Sequence, residues 1–290
     1  MNNSEIYSLD DRALLRVTGE EASAFLQNLV TCDVRDVSAE RMRYGCLLTP
    51  QGQFLHEFFI LPDDTGGYFM DCDRAGRDEL LRRLNTYKLR ARVNIAAAEE
   101  WRVYAAARSV VLEGKKHFLQ LVSPASRTDK DYRVYPDPRL KELGHRIYTK
   151  ETLNAGEAAG YDDFCITLGV PPARAMKPSK DYISALNLDL LEAVSFDKGC
   201  FVGQEVTARM EHRALVKKRL LIVEGAGLKA GDMLVQGDAE LGGIRAVNAS
   251  GRQGLGILKL AVLENPDIPV LTPQKNVVEI RKPAYPLRKS

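Results

Sequence analysis

The chain has 290 residues, of which 28% are charged, with 41 Lys plus Arg against 39 Asp plus Glu and a formal net charge of +2 at pH 7. That length supports large cores and two or three domains, and so even a charge balance gives no global reason to expect nucleic acid. No apolar run approaches the roughly 20 residues that a membrane-spanning helix needs, so no membrane contact is expected. The N-terminus carries Glu5, Asp10 and Asp11 and lacks both a cationic start and an apolar secretory core, so no targeting peptide is expected. The five cysteines, Cys32, Cys46, Cys72, Cys165 and Cys200, form an odd set without a C-x-x-C pair. Reduced thiols in a cytoplasmic setting are expected, at least four of them filling core positions, with no self-contained metal site.

In chain order, Thr18-Gly-Glu-Glu21 has capping-box spacing, and Ala22, Phe25, Leu26, Leu29 and Val30 follow at helical intervals. This predicts an amphipathic helix ending in "TCDV". "YGCLLTPQGQFLHEFFIL" reads as a hairpin reversing at Pro50-Gln51-Gly52. "GYFMDC" adds a strand, and Asp73 is placed to cap a helix over 74–87 whose Leu80, Leu81, Leu84 and Tyr87 share a face. "WRVYAAA", "HFLQLVS" and "DYRVYPD" read as short strands, and a further helix is expected near 149–160. After about residue 214, short β-rich runs separated by Gly, Asn and Pro predict a small barrel or sandwich.

"DKGCFVGQEVTARM", residues 197–210, carries the chemistry. Gly203 suits a helix N-cap, with good helix formers after it, so Cys200 falls just ahead of a helix N-terminus. Unpaired N–H groups there stabilise a thiolate, and Lys198 adds a cation two positions away. Serine would not ionise in that setting, and alanine could not react. The other reading makes Cys200 a small buried hydrophobe in a loop shaped by Gly199 and Gly203; the residues alone leave both open. Arg209, Arg213, Lys217, Lys218 and Arg219 form a basic run that suits an anionic ligand tail, an acidic partner or a solvated face. Glu211 and His212 have no visible acid–base partner.

"KGCFVGQEVTARM" resembles the K-G-C-[YF]-x-G-Q-E signature of the YgfZ-type folate-binding proteins, bacterial relatives of a mitochondrial iron–sulfur assembly factor. "ASAFLQNLVTCDV", "LLTPQGQFL" and "DPRLKELGHRIY" are similar to further family segments in the right order. The resemblance implies an α+β, glycine-cleavage T-protein-like fold with mixed α/β domains around a central folate cavity and a C-terminal β-barrel. It divides the chain into residues 1–45 plus 146–213, residues 46–145, and residues 214–290. It implies a role in assembling, maintaining or repairing 4Fe–4S proteins, with tetrahydrofolate or a derivative as cofactor and iron–sulfur proteins or cluster carriers as partners. It assigns Cys200 and Lys198 to the reactive site. Asn28, Thr31, Asp33, Asn187, Gly199, Gly203, Gln204, Glu205 and Arg209 are assigned to the folate, although Asn28, Thr31 and Asp33 equally suit capping and turn formation at the end of the first helix. Around Asn187, Ile183 and Ala185 stand where relatives more often carry Pro and Glu, which removes one polar contact expected for a pterin. The rival is an aminomethyltransferase or demethylase that passes a one-carbon unit to folate, disfavoured by Cys200 standing where such enzymes carry an aspartate-like residue. A scaffold that has lost folate is the third reading.

Overall fold

The computed structural model describes residues 6–107, 127–129, 131–212 and 216–287; the "HFLQLVS" strand and Arg213 lie outside the described residues. The chain divides into two compact units, Met1–Leu48 with His56–Tyr161 and Leu191–Val202, and Thr49–Leu55 with Asp162–Leu190 and Gly203–Ser290. The first runs β1 (Ile6–Ser8), β2 (Arg12–Thr18), α1 (Ala22–Leu29), β3 (Arg43–Leu48), β4 (Phe54–Pro62), β5 (Tyr68–Asp73), α2 (Arg77–Lys88), β6 (Asn94–Ala97), β7 (Arg102–Ala106), β8 (Arg127–Asp129), β9 (Tyr132–Pro136) and β10 (His145–Thr149). These strands form two five-stranded sheets, ordered β3-β4-β5-β2-β6 and β1-β7-β10-β9-β8.

α1 forms as its spacing requires, burying Ala22, Phe25, Leu26 and Leu29. Its capping box does not form. Thr18 closes β2 by pairing with Asn94, and the Glu21 carboxylate accepts the Arg92 backbone N–H at 2.7 Å instead. α2 begins at Arg77 rather than 74, because the Asp73 carboxylate accepts from Gly76 N–H at 2.9 Å and holds the turn before the helix. The hairpin reverses as expected: Gly52, at φ +77°, donates to the Thr49 carbonyl.

The two sheets of this unit are fastened by buried charge. Arg12 of β2 donates to Asp71 of β5 at 2.7 Å and pairs with Glu57 of β4. Arg146 of β10 donates to the other Asp71 oxygen at 2.7 Å, and the Tyr148 hydroxyl donates to the same oxygen at 3.0 Å. The Arg146 guanidinium stacks 4.0 Å from the Phe59 ring centroid, so each cation meets carboxylate at its edge and aromatic carbon at its face.

The expected helix at 149–160 is displaced. Residues 145–149 are taken into β10, between β7 and β9, and α3 spans Ala158–Leu168 instead. In the second unit, α4 (Gln204–His212) precedes β11 (Lys218–Glu224), β12 (Met233–Gln236), β13 (Ala239–Val247), β14 (Gln253–Lys259), β15 (Val270–Leu271) and β16 (Val277–Arg281). These six strands close into a barrel, ordered β11-β14-β13-β12-β15-β16, around Leu221, Val223, Leu234, Leu241, Ile244, Leu258 and Val278. Gly242 is required where β13 crosses β14: its φ is +143°, and a Cβ there would lie 2.0 Å from the Ile257 carbonyl oxygen.

Candidate functional site

The end of α1 leaves carbonyls that no helical N–H can reach. Lys198 fills that need. Its ammonium donates to the carbonyls of Gln27 at 2.7 Å, Val30 at 2.6 Å and Cys32 at 2.8 Å, spending all three protons. The side chain is 4% exposed and makes no ion pair among the described residues. Burial pushes its ionisation down to about 8, while three close carbonyl oxygens oppose that shift by favouring the charged form. The same burial pushes the neighbouring Cys32 thiol up to about 12.

Around this clamp the segment is closed by its own hydrogen bonds. The Thr31 hydroxyl donates to the Ala193 carbonyl at 2.5 Å and accepts from Cys46 N–H at 2.8 Å, while Ser195 N–H donates to the Thr31 carbonyl. The Gln27 side-chain oxygen accepts Val34 N–H at 2.8 Å. Asp33 accepts from the Arg35 backbone N–H at 3.0 Å and from its guanidinium at 2.9 and 2.5 Å. Hydrogen bonds from Arg35 hold the Asp33 carboxyl down to about 2. Asn28 stands exposed on α1.

Past Lys198, Gly199 and Cys200 are exposed, and Phe201 is buried again, with the Lys198 ammonium 5.4 Å from its ring centroid. The apex of the signature is thus a two-residue loop with a buried anchor on either side. The other four cysteines are buried and Cys200 is exposed, which excludes the reading of Cys200 as a core hydrophobe. Gly199 is not forced by its backbone, and a Cβ there would meet nothing within 4 Å. Among the described residues, no group of three His, Cys, Asp or Glu side chains could hold a metal ion.

The signature continues in the second unit. Gly203 takes φ +82° immediately before α4, and its carbonyl accepts from Thr207 N–H and Oγ1. Gln204 is half-buried, and Glu205 pairs with Arg209 one turn on at 2.5 Å. Asn187, fully buried at φ +60°, donates to the Leu220 carbonyl at 2.8 Å and the Tyr285 hydroxyl at 3.1 Å, and its oxygen faces Arg219 at 3.4 Å. Arg219 is buried and bidentate on Asp189 at 3.0 and 2.9 Å. It is therefore not part of the expected basic surface, in which Arg209, Lys217 and Lys218 are exposed. The side chains of Glu211 and His212 lie outside the described residues.

Sequence reasoning missed the partners on both sides. Asp189 and Tyr285 carried no motif, and the three carbonyls that receive Lys198 have no side-chain signature.

The described fold defines the class first. Over 96% of this chain and 84% of the other, it matches the crystal structure of glycine cleavage system aminomethyltransferase T from Bartonella henselae with a TM-score of 0.73 and 14% sequence identity, a likeness of fold alone. No family model matches the chain. It is 30% identical over 237 residues to the human protein named iron–sulfur cluster assembly factor IBA57, mitochondrial, covering 75% of this chain and 65% of the relative. It is 23% identical over 230 residues to the tRNA-modifying protein YgfZ of Photobacterium profundum, covering 76% of this chain and 70% of that one. The chain belongs to the IBA57/YgfZ family, as a distant homologue with the expected T-protein-like α+β fold and six-stranded C-terminal barrel. It spans about half to three-quarters of the length of the curated relatives it matches.

Proposed function

We propose that this protein serves in the assembly, maintenance or repair of 4Fe–4S proteins, with Cys200 as a redox-active or transiently ligating thiol. One observation carries the reading: the chain's exposed cysteine stands at the apex of the signature loop, between the buried anchors Lys198 and Phe201. The cluster is cargo here. Ordinary cluster sites need about four protein ligands, so a single thiol holds a cluster only together with ligands from a client protein, a cluster carrier or a small thiol. The cytoplasm, where thiols stay reduced, is the compartment that suits this chemistry.

Anaerobic reconstitution of an apo 4Fe–4S enzyme tests the role. The wild type is expected to raise the yield or rate of active enzyme, and Cys200→Ala is expected not to. Equal stimulation by both would remove the thiol from the mechanism.

Tetrahydrofolate rests on the resemblance. Two of the residues assigned to it do not fit a direct contact as they stand: Thr31 and Asn187 are fully buried with their polar atoms engaged by Ala193 and Cys46 and by Leu220, Tyr285 and Arg219. Of the other residues assigned to it, Asn28 in the first unit and Glu205 and Arg209 in the second are exposed and Gln204 is half-buried, and no step of the reaction is routed through a folate. An anaerobic titration followed by the fluorescence of Trp101 decides. Saturable binding at micromolar ligand supports the cofactor, and none at millimolar ligand leaves a thiol-bearing scaffold.

A further inference from the structure

Leu89 is the most exposed large hydrophobic side chain among the described residues, at 88%, and it directly follows α2. Its backbone lies at φ 46° and ψ −106°, and Ala91 N–H donates to the Lys88 carbonyl at 2.8 Å across it. Those angles belong to the first central position of a type II′ turn, which favours glycine because a Cβ is crowded there. Leucine at this position costs stability and recovers none by burial, since its side chain is in water.

The turn is also fixed from beneath. Arg92 N–H donates to Glu21, and the Arg92 guanidinium pairs with Glu20 at 3.0 Å. The chain passes so close that a Cβ on Gly19 would lie 2.2 Å from the Arg92 carbonyl oxygen. Leu89 therefore projects from a rigid support. The cations around it divide into two kinds: Arg82 and Arg83 are paired with Glu79, whereas Lys88 and Arg90 carry no ion pair among the described residues.

We infer that Leu89, flanked by Lys88 and Arg90, is the apolar anchor of a docking knob for a protein partner that presents an apolar pocket rimmed by carboxylates. Backbone strain that stabilises nothing inside the fold is accounted for by a contact outside it. The flanking positive charges specify the complementary rim. This surface does not depend on Cys200.

Leu89→Gly is the decisive variant, because a local structural role and a docking role move its two readouts differently. Relief of the positive-φ strain is expected to raise Tm by about 2–4 °C. Loss of a central apolar anchor is expected to lower 4Fe–4S enzyme activity, in cells lacking the native protein, by about five-fold or more. A stabilised Leu89→Gly protein with wild-type activity overturns the inference. A second measurement needs no cluster assay: a photocrosslinking side chain is placed at position 89 or at exposed Asn154 in living cells. A discrete protein adduct is expected at 89, absent at 154, and lost in the Lys88→Glu/Arg90→Glu background. Equal adducts at both positions, or an adduct that survives charge reversal, contradicts the knob. So does binding of the wild type, but not of Leu89→Glu, to phosphatidylglycerol vesicles, which would assign the surface to a membrane. If the wild type fails to restore 4Fe–4S activity at all, the proposed function falls while the crosslinking result still stands.

Discussion

Arg12 and Arg146 lose their water among carboxylates, whereas Lys198 loses its water among backbone carbonyls with no ion pair. The first arrangement is closed: Asp71 receives both guanidiniums and Tyr148, and nothing is left to titrate or release near neutral pH. In the second, one ammonium holds the end of α1 and the root of the Cys200 loop together through neutral carbonyls, with no counter-charge. The difference separates a charge cluster that fastens two sheets from a cation that holds the signature loop.

Four changes would break or sharpen that contrast. Asp71→Asn leaves two buried guanidiniums short of their shared counter-charge, and a loss of about 3–5 kcal/mol is expected in urea unfolding. Lys198→Met should cost less, about 1–3 kcal/mol, because the orphaned groups are neutral carbonyls. Its effect on 4Fe–4S enzyme activity should nonetheless exceed that of any stability-matched core variant. If Lys198→Met proved costlier in urea than Asp71→Asn, the ranking of the two sites would be reversed.

The third change is of pH, and its sign follows from the lysine. The ionisation of Lys198 falls from 10.5 to about 8 on folding, so between those values the unfolded chain binds the proton more tightly. Wild-type stability measured relative to Lys198→Met should therefore be lowest below pH 8 and rise as the pH climbs toward 10.5. A flat difference across that window would show that the carbonyls fully offset the burial. Asp33 has the same sign in a lower window: its contribution is present above pH 3.8 and is lost as the pH falls through about 2. The smallest effect belongs to Gly199→Ala. With ordinary φ and open space at its Cβ, stability should stay within about 0.5 kcal/mol of wild type.

Periodic patterns were legible in the sequence. The apolar spacing from Ala22 to Leu29, the reversal at Gly52 and the short strands after residue 214 each depend on neighbours within one or two turns of chain. What failed depended on distant partners. Glu21 leaves its capping box for Arg92, 71 residues on, and within the helix expected near 149–160 Gly156 is held by backbone bonds to Ile6 and Ser8, some 150 residues earlier, so that α3 starts only at Ala158. The site divides in the same way. The signature marks Cys200 and its loop, but in sequence Lys198 is only a charge beside the thiol, since its acceptors lie 166 to 171 residues earlier, on groups every residue carries. In sequence Arg219 is indistinguishable from its basic neighbours, yet Asp189, 30 residues back, draws it into the interior.

The central claim is that the Cys200 thiol, presented by this loop, is what the protein contributes to its clients. Its most direct test is the activity of a 4Fe–4S enzyme in cells lacking the native protein and supplied with wild type, Cys200→Ser, Lys198→Met or the double variant at matched protein levels. Activity should fall with Cys200→Ser and with Lys198→Met, and the double variant should be no worse than Cys200→Ser alone, as expected of residues acting as one unit. Full activity with Cys200→Ser would contradict the account.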